Sequence, residues 1–252
     1  LLKAPMAPNY FRALTDNDID FLNFTPPFMF AHPYYKWKHA TKAVKALKTS
    51  VEEKDGAVKV QVALDVPFMK NAFVAYTVYS NGKLAVYHSA VPKAPLLRFG
   101  FQWNVDKSLT QISWYGRGEA PSYPDRKTGY KIGKYSLPID KFEYTYMRPQ
   151  ESSTRADVRY FTLTDKKGNG IKVTAYYDKP VLFCALPYTP FMLDKYDHVT
   201  DVDRTHDITV NVDSSQYGIG GDMPGQAFVR DKYQVKAGEK QVLSFLVEPF
   251  KK

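Results

Sequence analysis

Glycine turns set between alternating segments constrain this chain more than any other feature. In "VKALKTSVEEKDGAVKVQVALDV" apolar and polar residues alternate on both sides of Asp55-Gly56. The device recurs in "FVAYTVYSNGKLAVYHSAV" around Asn81-Gly82 and in "YFTLTDKKGNGIKVTAYY" around Lys167-Gly168-Asn169-Gly170. A two-residue period puts one set of side chains on each face of a pleated strand, and Asp-Gly or Asn-Gly supplies the positive-φ residues that close a hairpin. "LLRFGFQWNV" and "KQVLSFLVEPF" add strand candidates. Helix signals are few: "YKWKHATKAVKAL" before the first hairpin, and one turn in "TPFMLDKYD", where Pro190 stands near the start. Many strands, regular turns and no alternation of strand with helix predict an all-β chain, a large antiparallel β-sandwich. With 252 residues, no long linker and no repeat of fixed period, the sequence reads as a single domain over 1–252.

The composition supplies the core that a sandwich needs. The chain has 19 Tyr and 16 Phe, and aromatic rings suit a half-buried pleated surface. A chain of this length buries roughly 70–75% of the surface its unfolded form exposes, so it needs no covalent staple. None is available within the chain, because Cys184 is the only cysteine. Its apolar setting, "VLFCAL", predicts an inert buried thiol. The absence of an internal disulfide fits a reducing compartment, and cytoplasmic and periplasmic settings are both compatible with the sequence. No apolar run reaches the roughly 18 residues of a membrane-spanning helix, so no membrane partner is expected. The opening residues lack an initiator Met and the apolar stretch of a signal peptide, and the chain reads as cut from something longer.

The formal net charge is +9, and its densest stretch is "YKWKHATKAVKALK". Basic residues interleaved with rings can grip nucleic acid. No nucleic-acid motif accompanies the charge, so the expectation is a solvated lysine face beside an inward-packed Trp37, with no nucleic-acid partner.

Five polar stretches carry residue types that could build a site. "FRALTDNDID" gathers Asp16, Asn17, Asp18 and Asp20 but lacks the glycine and distal glutamate of a calcium loop. Side chains that bond neighbouring N–H groups in a turn are the expected role. "WYGRGEAPSYPDRKTGYKIGKY" has the make-up of a functional surface loop, with Arg117, Asp125 and Arg126 read as ion pairs that lock it. "MRPQESSTRADVRYF" offers Glu151, an acid or base whose partner the sequence does not supply. It also sets Arg155, Asp157 and Arg159 at alternate positions, which predicts lateral Arg–Asp–Arg pairing on one strand face. "DHVTDVDRTHD" holds His198 and His206 without HxH or HExxH spacing, the pattern of hydrogen-bonded loop histidines; no metal and no cofactor are expected. "YGIGGDMPGQAF" uses Gly218, Gly220 and Gly221 for a tight turn capped by Asp222, without the strand-to-helix setting of a phosphate cradle.

Taken in order, "FRALTDNDI", "WYGRGEAPSYPDRKTG", "RPQESSTRADVRYFTL" and "NVDSSQYGIGGD" resemble the last domain of the β-galactosidases of glycoside hydrolase family 2. The resemblance runs from about Pro8 to Pro249. It implies a supersandwich related in fold to sugar mutarotases, and a chain that begins just after that domain's first strands. It also implies a parent enzyme that hydrolyses β-galactosides with retention, using two carboxylates about 5–5.5 Å apart. In the family both lie on an upstream (β/α)₈ barrel, so the resemblance gives this chain no catalytic residue, and Glu119 and Glu151 are not the pair. The implied partners are that barrel, as an upstream domain or a separate large subunit, a β-galactoside carbohydrate in the full enzyme, and further copies of the parent in a homo-oligomer. The implied contribution to the sugar pocket is the loop after "GIGGD", where the best-known members place a Trp a few residues beyond the aspartate. Here Asp222 is followed by Met223, Pro224, Gly225 and Gln226. Asp222 and Met223 are therefore the implied substrate-binding residues, with Gly225 near the place of the Trp. Pro121 stands where many members carry a glutamate before the tyrosine.

Two readings from other classes stay open. A stand-alone mutarotase-like epimerase needs a general base and a general acid at one anomeric centre, with Glu151 and His198 or His206 as the available set. A carbohydrate-binding module would present the rings of a cluster such as Tyr144 and Tyr146 with Met147 beside them, or Tyr34, Tyr35 and Trp37. The same side chains would serve equally to cover core or interdomain surface.

Overall fold

A computed structural model describes residues 2–19, 34–176, 179–221 and 229–251. Within them lie strands β1 (Ala7–Asn9), β2 (Lys45–Lys54), β3 (Ala57–Asp65), β4 (Met69–Tyr79), β5 (Leu84–Pro92), β6 (Arg98–Val105), β7 (Gln111–Arg117), β8 (Ile132–Pro138), β9 (Arg155–Val158), β10 (Tyr160–Thr164), β11 (Asn169–Ala175), β12 (Val181–Leu186), β13 (Ile208–Gln216) and β14 (Gln241–Lys251). They form two antiparallel sheets: a larger one in the order β2-β3-β4-β5-β14-β11-β10-β7-β8, and a smaller one in the order β1-β6-β13-β12-β9. The all-β sandwich expected from the sequence is the fold observed.

The three hairpins form where the turn residues place them. Asp55 and Gly56, at φ 52° and 72°, close β2 onto β3. Gly82 and Gly168, also at positive φ, sit in the turns that join β4 to β5 and β10 to β11. The helix Tyr34–Lys42 buries Tyr34, Trp37 and Ala40 and turns Lys36 and Lys42 to solvent, as its sequence predicts. The Trp37 indole donates to the Pro95 carbonyl at 2.5 Å. A single turn at Pro190–Leu193 starts with its proline. Cys184 is buried, and burial pushes its thiol well above the usual range, so it is no nucleophile. No helix among the described residues is long and apolar enough to cross a membrane.

Rings from the inner faces interlock to make the core. Trp103 of β6 stacks on Phe245 of β14 at 5.7 Å, and Phe161 of β10 stacks on Phe183 of β12 at 4.3 Å. Each such pair adds about 0.5–1.5 kcal/mol beyond the area it buries.

The outer face of the smaller sheet positions the site. Alternation along β6 turns Phe99, Phe101 and Trp103 inward and sends Arg98, Gly100 and Gln102 the other way. The register sets Gly100 beside Asp213 and Gln102 beside Asn211 of β13. This second face is polar and yet buried: Arg98 is 1% exposed and Asp213 0%. Tyr123 and Glu151, from the connection between β7 and β9, lie over it and are buried in turn.

One expectation is corrected here. Arg155, Asp157 and Arg159 do not share a strand face. β9 belongs to the smaller sheet and β10 to the larger, and the chain changes sheets between them, with Asp157 at φ 53°. The two-residue period is broken at that crossing. Arg155 donates to the carbonyls of Glu119, Ser153 and Phe142 and lies over the Phe142 ring. The Asp157 carboxylate takes Arg117 at 2.5 Å and Lys127 at 2.8 Å, and Arg159 reaches the Asp157 backbone carbonyl.

The larger sheet runs out past the smaller one. Val86, Tyr76, Val60 and Val51 are direct neighbours across β5, β4, β3 and β2 and so share a face. Val86 is 1% exposed and Val51 66%. Val58 and Val78, one row along, are exposed as well, and every residue of β2 is exposed. Among the described residues, this apolar row is exposed toward its β2 end, and β1 is the edge strand of the smaller sheet.

Candidate functional site

The site begins with a buried ion pair. Arg12, just after β1, meets Asp18 with Nη1 to Oδ2 at 2.6 Å and Nη2 to Oδ1 at 3.3 Å. Asp18 also accepts the N–H and hydroxyl of Thr15, whose oxygen accepts the Asp18 N–H in return. This reciprocal bonding opens a helical stretch at residues 16–19 and matches the turn role expected of these side chains. Asp20 lies outside the described residues. The second guanidinium nitrogen of Arg12 reaches the Gly218 carbonyl at 3.1 Å, and the Asn17 amide reaches the Ile219 carbonyl at 2.8 Å. The first and last of the polar stretches are thereby tied together.

A second buried cluster lies behind the floor. Arg98 faces two carboxylates, Asp213 with Nε to Oδ2 at 3.0 Å and Glu151 with Nη2 to Oε2 at 3.5 Å. The Glu151 Oε1 also accepts the Tyr123 hydroxyl at 3.1 Å and the Thr154 hydroxyl at 2.8 Å. Burial pushes the Asp213 carboxyl up to about 7 against the opposing pull of Arg98, and the neighbouring Glu151 charge adds to the rise. Gly100 is required here, because a Cβ on it would stand 1.8 Å from Asp213 Oδ1.

The glycine loop closes the far side. Asp125 Oδ2 accepts the Gly220 N–H at 2.8 Å, and a Cβ on Gly218 would stand 2.4 Å from the same oxygen. Gly220 and Gly221 take positive φ of 68° and 92°, the tight geometry expected of them. Asp222 and Met223, the implied sugar contacts, and Gly225 lie outside the described residues.

Between these walls is a cleft of about 550 Å³. Its polar lining includes Asp16, Asn17, Asp125, Gln150 and Glu151, and its rings are Tyr123, Tyr130, Tyr144 and Tyr146. The volume falls in the range of small-molecule sites. Its carboxylates are engaged: Asp16 by Gln150 and Arg148, Asp125 by Gly220, and Glu151 by Tyr123, Thr154 and Arg98. Among the described residues, the cleft carboxylates are thus tied to neighbouring groups, with Asp125 Oδ1 buried and without a hydrogen-bond partner.

The remaining candidates fall elsewhere. The expected ion-pair locking of this loop forms at Arg117, which pairs with Asp157 of β9, whereas Asp125 accepts the Gly220 N–H and Arg126 stands beside the Tyr146 and Tyr130 hydroxyls. Glu119 is exposed. Glu151 does not meet either histidine of the epimerase set in the cleft: His206 pairs with Asp203 and lines a separate cavity with Glu143 and Arg204, and His198 is exposed. Of the aromatic clusters, Tyr34 and Trp37 are core, while Tyr144, Tyr146 and Met147 are exposed. Sequence reasoning missed Arg12, Arg98 and Asp213. For Arg98 and Asp213 the signal was a charge interrupting an apolar strand, in "LLRFGF" and "TVNVDSS".

The arrangement can be set beside known proteins. A family model described as beta galactosidase small chain matches residues 1–247. A beta-galactosidase of Priestia megaterium is 30% identical over 99% of this chain, and one of Lactobacillus delbrueckii subsp. bulgaricus is 31% identical over 95%. The chain spans 24% and 23% of their lengths, about a quarter of the curated relatives it matches. Among solved structures, a galactose 1-epimerase from Lactobacillus acidophilus NCFM aligns over 80% of this chain and 65% of its own, at TM-score 0.45 and 10% identity. The four polar stretches that converge on the cleft lie within the matched span, and the chain belongs to the beta galactosidase small chain family.

Proposed function

We propose that this chain is a non-catalytic β-sandwich domain of a β-galactosidase-type glycoside hydrolase, and that its cleft forms one wall of the galactoside pocket in the whole protein. The observation that carries the reading is the combination of family membership with the state of the cleft carboxylates. Retaining hydrolysis needs two carboxyl groups about 5–5.5 Å apart, one free to give a proton and one free to attack. Glu151 is instead held by Tyr123, Thr154 and Arg98. Chemistry then falls to a partner domain or subunit supplied by the rest of the parent, and this chain supplies shape and hydrogen bonds.

The second role we infer is bracing. Among the described residues, the exposed apolar row of Val51, Val58 and Val78 and the edge strand β1 are the features that another part of the parent assembly would cover. Such cover would make the 1–252 sandwich one portion of a larger one. The test is hydrolysis of a chromogenic β-galactoside by the parent polypeptide, before and after Asp125→Ala. The reading predicts turnover in the parent and a KM raised several-fold by the variant, because Asp125 orders the glycine loop. A parent that fails to cleave β-galactosides would end the reading.

A further inference from the structure

We propose that Tyr144 and Tyr146 form a stacking platform for a second sugar ring, so that the site is shaped for β-linked galacto-oligosaccharides and not for a single galactose. The inference rests on the galactoside reading of the cleft and deepens it.

Both rings line the cleft and both remain open to solvent, Tyr144 at 47% and Tyr146 at 37% exposed. They lie 5.2 Å apart, tilted by 60°. Two exposed rings at the mouth of a polar cavity are costly to leave uncovered and add nothing to the sandwich core. A pyranose has what they lack: C–H faces that pack on a ring, and a rim of hydroxyls. A hydroxyl partner stands in the same cleft: the Asp16 carboxylate, held by Gln150, is 59% exposed and has lone pairs left to accept from sugar hydroxyls. The rings and the Asp16 carboxylate line one opening, and its volume of about 550 Å³ is more than a single hexose fills, which suits a chain of sugars.

The segment that carries the rings is held in place. The Tyr144 N–H donates to Ser153 Oγ at 3.0 Å, and the Val199 N–H donates to the Met147 carbonyl at 3.0 Å. Arg148 and Gln150 both reach Asp16. Arg126 stands beside the Tyr146 hydroxyl. A platform fixed before binding loses little entropy when the sugar arrives.

The test is saturation-transfer NMR on the purified chain with β-1,4-linked galactotetraose and with galactose. Expected is clear transfer to the tetraose ring protons and at least five-fold less to galactose. Tyr144→Ala/Tyr146→Ala should cut the tetraose signal at least five-fold, whereas Tyr144→Phe/Tyr146→Phe, which keeps both rings, should retain it within two-fold. An unchanged urea midpoint in the alanine variant separates lost binding from lost folding. Absence of transfer to tetraose in the wild-type chain, or equal transfer in wild type and alanine variant, overturns the platform. Failure of the galactosidase reading would show differently, as a parent without hydrolysis while tetraose binding persists.

Discussion

At the scale of single residues, the molecule is governed by charges placed where strands would ordinarily carry apolar groups. Arg98 serves two carboxylates in a dry layer, and removing one member of such a set costs about 3–5 kcal/mol because it leaves a buried charge uncompensated. Gly100 makes the room, so Gly100→Ala should lower the urea-unfolding stability by about 3 kcal/mol, near the upper end of overpacking; a midpoint unchanged within error would show that Asp213 moves freely. Two buried groups should also give opposing pH dependences. Asp213 has its folded value raised from 3.8 to about 7, so its contribution is fully present below 3.8 and is lost as pH rises through about 7. His88, stacked on Phe99, has its folded value lowered by burial from 6.5 to about 4, so its contribution is present above 6.5 and is lost as pH falls toward about 4. Stability measured at pH 4.5 and 7.5 should fall on acidification in Asp213→Asn and rise on acidification in His88→Gln. Parallel behaviour of the two variants would refute the assignment.

At the scale of elements, what could be read early was whatever local chemistry decides. Asp55-Gly56, Asn81-Gly82 and Gly168 announced three hairpins, and a basic stretch without a nucleic-acid motif pointed to solvated lysines beside an inward Trp37. What could not be read was which sheet a strand joins. β9 and β10 look like one strand because Val158, Arg159 and Tyr160 run on between them, and the crossing shows only in the different sheet partners of the two strands and the positive φ of Asp157. The site suffers in the same way. Glu151 looked alone because its partners, Arg98, Tyr123 and Thr154, come from three separate places in the chain, two of them far away in sequence. The β2–β3 hairpin carries its own prediction. Val51→Lys should change the stability of this chain by less than about 0.5 kcal/mol, since the residue is exposed. In the parent polypeptide the same substitution should cost about 2 kcal/mol, visible as a lower melting temperature, if another segment covers that face. Equal effects in the two settings would remove the bracing role.

At the scale of the whole molecule, the sandwich is a frame that brings four distant polar stretches to one cleft. Arg12 joins the first stretch to the glycine loop, Asp125 joins the second to it, and Glu151 joins the third to the sheet through Arg98. Among the described residues, Asp18, Asp125 and Glu151 each tie one stretch of that frame to another or to itself. The most direct measurement is the hydrolysis of a chromogenic β-galactoside by the purified 252-residue chain beside the full-length parent. The account predicts release at the uncatalysed background rate from the chain and steady turnover from the parent; turnover above background from the chain alone would contradict it.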